Sequence, residues 1–215
     1  MAESSSTTDD MQKRRQPRMK VVSTTGSKRS SLLRRAREAL EMGNLEEAKR
    51  LLEPFVKRRN AEAIFLRGSF SGPNEPLARF ERRMRRSIEI AANKGYPPAV
   101  YRLGAHLDMG ERFETFSYPR DKGRAALLFK RAADLGHRHS QWIYAMDLLY
   151  GSPHIEKNVP LGLEYLRRAL EGGFVGAYET MAQFHETGKF GLEVNTALAD
   201  EYRRQARSSD VVQYS

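Results

Sequence analysis

The sequence predicts an all-α protein, an α-solenoid of about five antiparallel helical hairpins. Three observations predict it. First, a pattern of two small residues five positions apart recurs about every 40 positions. It appears as AIFLRG from Ala63 to Gly68, AVYRLG from Ala99 to Gly104, SQWIYA from Ser140 to Ala145 and AYETMA from Ala177 to Ala182. A Gly follows each copy, at Gly72, Gly110, Gly151 and Gly188. Second, a further element closes on a related string: AANKG ending at Gly95, AADLG ending at Gly136 and ALEGG ending at Gly173. A fixed period of this size is the mark of a repeat architecture. Third, no stretch alternates apolar and polar residues with the turn dipeptides that strands and hairpins need.

Residues 1–29 are expected to form a disordered basic tail. They are rich in Ser, Thr, Lys and Arg and hold few large apolar groups to offset the entropy of ordering. Lys13, Arg14, Arg15, Arg18 and Lys20 cluster within it. The segment from Thr24 to Ser31 superficially suggests a phosphate loop, but that loop would need Gly at position 21, where Val21 stands. The repeat domain is expected over 30–207, followed by a C-terminal tail over 208–215.

From Ser30 onward the periodicity is helical. Leu32, Leu33, Ala36, Ala39 and Leu40 recur at helical spacing. Gly43 and Asn44 break the run, and Asn44 is placed to cap a second helix with Glu46 and Glu47 in its first turn. Pro54 is expected to end or kink that helix. Four more hairpins follow over about 61–95, 97–136, 138–173 and 175–207. The second and third carry longer internal loops, 71–76 and 111–120. Within each hairpin, small residues let two helix backbones approach. The seam is expected to be filled by Ile64, Val100, Leu103, Leu107, Tyr144, Leu148 and Met181 on the first helices, and by Leu128, Phe129, Leu166 and Tyr202 on the second. A single hairpin buries too little to be stable, so neighbours must stack.

The composition bounds the rest. Hydrophobic residues make up 40% of the 215, enough for a core, and charged residues make up 30%. No run of about 18 apolar residues exists to cross a membrane. Nor does an apolar stretch follow the basic residues of the N-terminus, as a secretory signal would require. With no cysteine, there are no disulfides, thiolate zinc sites or thiol nucleophiles. A cytoplasmic protein is expected. The formal net charge of +10 favours an anionic partner: an acidic protein, nucleic acid or a membrane surface.

No catalytic constellation is present. The five histidines, His106, His137, His139, His154 and His185, form no metalloprotease motif. His137 and His139 lie in a turn between repeats, where a metal site would need a further carboxylate. His185 and Glu186 are adjacent on a helix and point apart. There is no nucleophile elbow, dinucleotide fingerprint or kinase motif. No enzyme activity, cofactor or metal is expected.

The repeat pattern resembles the Sel-one-like repeat family, relatives of the tetratricopeptide repeat. The third hairpin carries the resemblance best, with Ala99 to Gly104, Gly110, DKGRA from Asp121 to Ala125, Phe129, and KRAADLG from Lys130 to Gly136. The fourth carries it through LRRALEGG from Leu166 to Gly173, while the second and fifth are degenerate. The resemblance covers about 61–207, and the first hairpin is closer to a plain tetratricopeptide unit. It implies a scaffold or adaptor that binds a protein. Some bacterial members look like immunity proteins that neutralise a secreted toxin.

In solenoids of this kind the first helix of each pair lines the concave face. Positions two, six and nine after the first small residue are then expected in the groove. Position two gives Phe65, Tyr101, Trp142 and Glu179. Position six gives Ser69, Ala105, Met146 and Gln183. Position nine gives Gly72, Asp108, Leu149 and Glu186. Three rings at equivalent positions would make an aromatic ladder, with Trp142 at its middle. A basic face is expected from Arg79, Arg82, Arg83 and Arg86, which share one side of a helix. An acidic protein partner, a toxin or an assembly component, would suit it. The alternative is nucleic acid bound by the tail and this face. The plainer reading is a solvated face partly neutralised by Glu81 and Glu89.

Overall fold

The structure, a computed structural model, describes residues 24–213, with side chains over 31–208. Ten α-helices run in order: α1 (Thr24–Glu41), α2 (Leu45–Lys57), α3 (Ala61–Gly68), α4 (Leu77–Asn93), α5 (Pro97–Met109), α6 (Lys122–Asp134), α7 (Arg138–Tyr150), α8 (Val159–Glu171), α9 (Val175–Thr187) and α10 (Thr196–Gln213). They pack as five hairpins, and each second helix also packs on the first helix of the next hairpin. No strand occurs among the described residues. Two isolated bridges, Arg112 with Ser117 and Ser152 with Ile155, lie in the loops after α5 and α7.

The boundaries differ from expectation at both ends. The helix α1 begins at Thr24, so residues 24–29, assigned to the tail by composition, are helical. A helix already held by the packed Leu33, Ala36 and Ala39 propagates outward at small cost per residue. The remainder of that tail, 1–23, lies outside the described residues. At the other end α10 continues to Gln213, through most of the expected 208–215 tail. Pro54 neither ends nor divides α2, which runs three residues further. It lies on the exposed side, where the carbonyl it leaves unbonded can meet water.

Caps fix the helix starts. Asn44 accepts from Glu47 N at 3.2 Å, Asn60 from Ala63 N at 2.9 Å, Asp121 from Arg124 N at 2.9 Å and Asn158 from Leu161 N at 3.1 Å. Each satisfies an amide that the helix itself cannot. Between hairpins the chain reverses through Gly95, Gly136 and Gly173, all with left-handed φ of 78°, 89° and 72°. Glycine takes that conformation without steric cost. At the corresponding turn before α3 the role falls to Arg59, with φ of 56°.

The core is a succession of small clusters, each confined to one hairpin and its neighbours. The first joins Leu33, Ala36, Leu52 and Phe55 to Ala63 and Phe70. The next joins Ala91 and Ala92 to Ala99, Val100 and Ala132. Leu107, Tyr118, Ala125 and Phe129 fill the third hairpin. The last runs from Ala133 through Tyr144, Leu148, Leu149 and Leu166 to Met181 and Phe184. Such a chain of local interfaces is the energetic signature of a solenoid. Close backbone approach is sharpest at Gly68, where an added Cβ would stand 2.4 Å from Ser87 Cβ on α4. Both atoms are fixed to their backbones, so α3 and α4 would have to separate.

We expect Gly68→Ala to destabilise the fold by about 1–3 kcal/mol, the usual cost of overpacking, despite the better helix propensity of Ala. Urea unfolding measures this. A variant as stable as the parent would contradict the close α3–α4 contact.

Candidate protein-binding groove

The first helices align on Ala63, Ala99, Ser140 and Ala177, each fully buried. In this frame the rings at position two are partly buried. Each meets a ring at the start of the next hairpin. Phe65 lies 5.4 Å from Tyr96, Tyr101 stacks at 4.5 Å on His137, and Trp142 lies 5.7 Å from Phe174. Tyr96, His137 and Phe174 are the N-cap residues of α5, α7 and α9. His139 joins two of these contacts, 5.0 Å from Tyr101 and stacked at 4.8 Å on Phe174. Trp142 Nε1 also donates to Thr180 Oγ1 at 2.9 Å, and Thr180 donates to Gly176 O at 2.6 Å. The three rings therefore form a seam between hairpins, where a ladder lining the groove was expected. At the last unit Glu179 takes the ring's place and is exposed. A sequence signal for the partner rings was present: in three units an aromatic or His directly follows the closing Gly.

The other frame positions vary. Ser69 and Gln183 are exposed, and Ala105 and Met146 are partly buried. Gly72 lies in the loop after α3, and Glu186 is exposed and paired with Arg203. Leu149 is fully buried, because Gly162 on α8 leaves room for it; a Cβ there would meet Leu149 Cγ at 2.7 Å. Asp108 is partly buried and lines a cavity of about 270 Å³ with Asp147, Lys122, Phe129, Ile143 and His154. Burial raises the Asp147 carboxyl above its ordinary value; nearby Asp108 adds to this, and a hydrogen bond from Ser152 opposes it.

The basic face divides into two parts. Arg79, Arg82 and Arg86 are exposed on α4. Arg83 turns inward instead, to Phe70 O at 2.9 Å, to Arg67 O, and to Glu75, with Nε to Oε1 at 3.1 Å. It thereby fastens the 69–76 loop. The hydrogen bond from Arg83 is the main cause that holds the Glu75 carboxyl down to about 2. Neither acid expected to neutralise this face does so. Glu81 is buried and accepts from Glu114 N at 3.0 Å, Thr115 N at 2.7 Å and Thr115 Oγ1 at 2.7 Å. It clamps the 111–120 loop of the next unit. Glu89 pairs with Arg85 at 2.9 Å.

The histidines are structural in their contacts. His137 Nδ1 accepts from Ser140 N at 3.2 Å and lies 2.9 Å from Ser140 Oγ. Burial, with the charges of His139 and Arg138, holds it down to about 4. Burial also lowers His139. His185 Nδ1 lies 3.1 Å from Glu193 O, turned away from Glu186. Among the described residues no three His, Asp or Glu could together hold a metal ion, and no helix is long and apolar enough to cross a membrane.

Stacked hairpins with small residues at the helix crossings define a tetratricopeptide-like α-solenoid, a protein-interaction fold. Residues 97–137 and 139–174 match the Sel1 repeat. It is similar to chitin synthase regulatory factor 3 of Schizosaccharomyces pombe, 24% identical over 152 residues, which is 67% of this chain and 16% of that relative. The chain thus spans less than a fifth of the length of the curated relative it matches. Among solved structures it resembles a Sel1 repeat protein from Oxalobacter formigenes. The TM-score is 0.61 at 16% identity, over 85% of this chain and 71% of that one. It also resembles a protective antigen of uropathogenic Escherichia coli with the same repeat fold. That TM-score is 0.56 at 22% identity, over 76% of this chain and 33% of the antigen.

Arg83→Met removes the guanidinium shared by Glu75, Arg67 O and Phe70 O, leaving Gly72 N on Glu75 and Arg67 Nη1 on Phe70 O, and is expected to cost about 1–3 kcal/mol. Arg82→Met on the exposed side should stay within about 0.5 kcal/mol of the parent in the same unfolding experiment. Separately, His137 is held neutral in the fold, so unfolding takes up a proton between its free and folded values. Stability should be full above pH about 6.5 and fall as the pH drops toward about 4. A His137→Gln variant should flatten that part of the profile, read as urea midpoints across pH.

Proposed function

We propose that this protein is a non-catalytic scaffold that holds a protein partner, an acidic one, along the face of its first helices. The observation that carries the reading is the distribution of open positions on that face. The apolar rings at position two are engaged between hairpins, while Ser69, Arg102, Glu179 and Gln183 remain exposed along it. Phe65, Tyr101 and Trp142 then set the spacing and rigidity of the surface, and Asp108, Met146, Glu179 and Gln183 lie where a guest would contact it. Specificity comes from polar contacts on a preformed surface.

The acidic character of the partner rests on the formal charge of +10 and on Arg79, Arg82 and Arg86, which have no carboxylate partner among the described residues. The repeat scaffold itself, and a relative named as a regulatory factor, favour binding over turnover. In the most specific form of the proposal the protein is a cytoplasmic immunity protein that occludes a toxin; an adaptor within an assembly is its counterpart. The same three arginines favour a second reading, nucleic acid bound on α4 together with the basic 1–29 segment. Its affinity would fall steeply with salt.

A photo-cross-linking residue at Gln183 or Ser69, compared with one at Arg167 on a second helix, tests the first reading in host lysate. We expect one protein species joined from the two first-helix positions and none from Arg167. Equal labelling from all three would remove the groove. Recovery of nucleic acid alone, lost on Arg79→Gln, Arg82→Gln and Arg86→Gln together, would establish the second reading.

A further inference from the structure

A cavity of about 90 Å³ lies where α3, α4 and α5 meet, beside the exposed Ser69 and Arg102. Each helix contributes a pair of lining residues four positions apart, which share one helix face: Phe65 and Ser69, Met84 and Ile88, Arg102 and His106. Phe65, Met84 and Ile88 give it an apolar wall. His106 adds no reachable nitrogen, since its Nδ1 contacts the Glu111 carboxylate and its Nε2 is occluded. Ser69 Oγ already donates to Leu66 O at 2.7 Å. A polar guest would therefore leave water for too few partners, which is costly, whereas an aliphatic group needs none. The space equals about three water volumes, which admits the isopropyl group of Val and excludes an aromatic ring.

The rim supplies a charge. The helices α3, α5, α7 and α9 carry three arginines, Arg67, Arg102 and Arg138. Arg67 donates to Phe70 O and Arg138 to Gly172 O, each at 3.3 Å. Arg102 alone has no partner among the described residues. Its guanidinium presents a planar fork of donors that matches a carboxylate. The formal net charge of +10 favours such a guest.

We propose that this cavity seats a Val-sized aliphatic side chain of the bound polypeptide, with a neighbouring Asp or Glu carboxylate of the same segment on Arg102. In an extended segment residues two apart share a face, so Val-x-Glu supplies both groups. The inference rests on the first-helix face being the binding face.

Its test titrates the full chain with capped Val-Gly-Glu, Val-Gly-Gln and Thr-Gly-Glu, and with acetyl-Gly-Val bearing a free carboxylate. Methyl NMR follows Met84, assigned through Met84→Leu. Val-Gly-Glu should move the Met84 methyl resonance. The Gln peptide should bind about threefold to tenfold more weakly, because it lacks the charge that Arg102 meets. The Thr peptide should bind about tenfold more weakly, because its hydroxyl must leave water. In Arg102→Gln, a change at an exposed position, the Glu and Gln peptides should bind alike. A Met84 methyl unmoved up to the solubility limit of Val-Gly-Glu, equal binding of the Val and Thr peptides, or a Glu preference that survives Arg102→Gln would overturn the proposal. Tighter binding of acetyl-Gly-Val than of Val-Gly-Glu would also overturn it, in favour of a chain terminus. If cross-linking from Gln183 persists while Met84 stays unmoved, the pocket fails and the groove stands.

Discussion

Everything in this molecule depends on the inability of one hairpin to bury its own apolar face. Two helices of 13 residues, such as α5 and α6, leave a stripe uncovered on each side. The protein meets this constraint by placing Ala at the crossings, Ala91, Ala92, Ala99, Ala132 and Ala133 among them, so that successive hairpins approach closely. Small side chains contribute little transfer free energy each, about 0.8 kcal/mol per buried methylene-sized group. The rest of the cohesion must come from elsewhere. Part of it comes from the ring at position two of α3, α5 and α7 and the ring at the next N-cap.

That seam ties successive hairpins together. A Phe, Tyr or Trp that stacks on its neighbour is withdrawn from solvent, and aromatic pairs of this kind contribute about 0.5–1.5 kcal/mol beyond area burial. The seam also places two lowered histidines, His137 and His139, at one joint of the solenoid. A change at Trp142 alters the spacing of α7 and α9 as well as any surface it presents.

The longer loops are a second device. Arg83 closes the loop after α3, and Glu81, two residues earlier on the same helix, closes the loop after α5. One helix thus directs a cation to its own hairpin and an anion to the next. The 111–120 loop in turn supplies Tyr118 and Phe113 around His106. The free arginines of α4 are those left over once these anchoring roles are filled.

The sequence by itself determined the hairpin count, the repeat register and most of the seam. Small residues at fixed spacing, closing glycines and Asn44 at a helix start are local signals with a backbone cause. Val100, Leu107, Tyr144, Leu148, Phe129 and Leu166 are buried as their periodicity required. The direction of the aromatic rings was decided only by the tertiary structure, because helical spacing fixes a face and the neighbouring hairpin fixes what that face meets. The same holds for Arg83 and Arg82. They are adjacent in sequence and chemically identical, yet one is bonded to Phe70 O and Glu75 while the other faces solvent. The 71–76 loop lies within reach of only one of them, and a loop's path follows from packing rather than from periodicity.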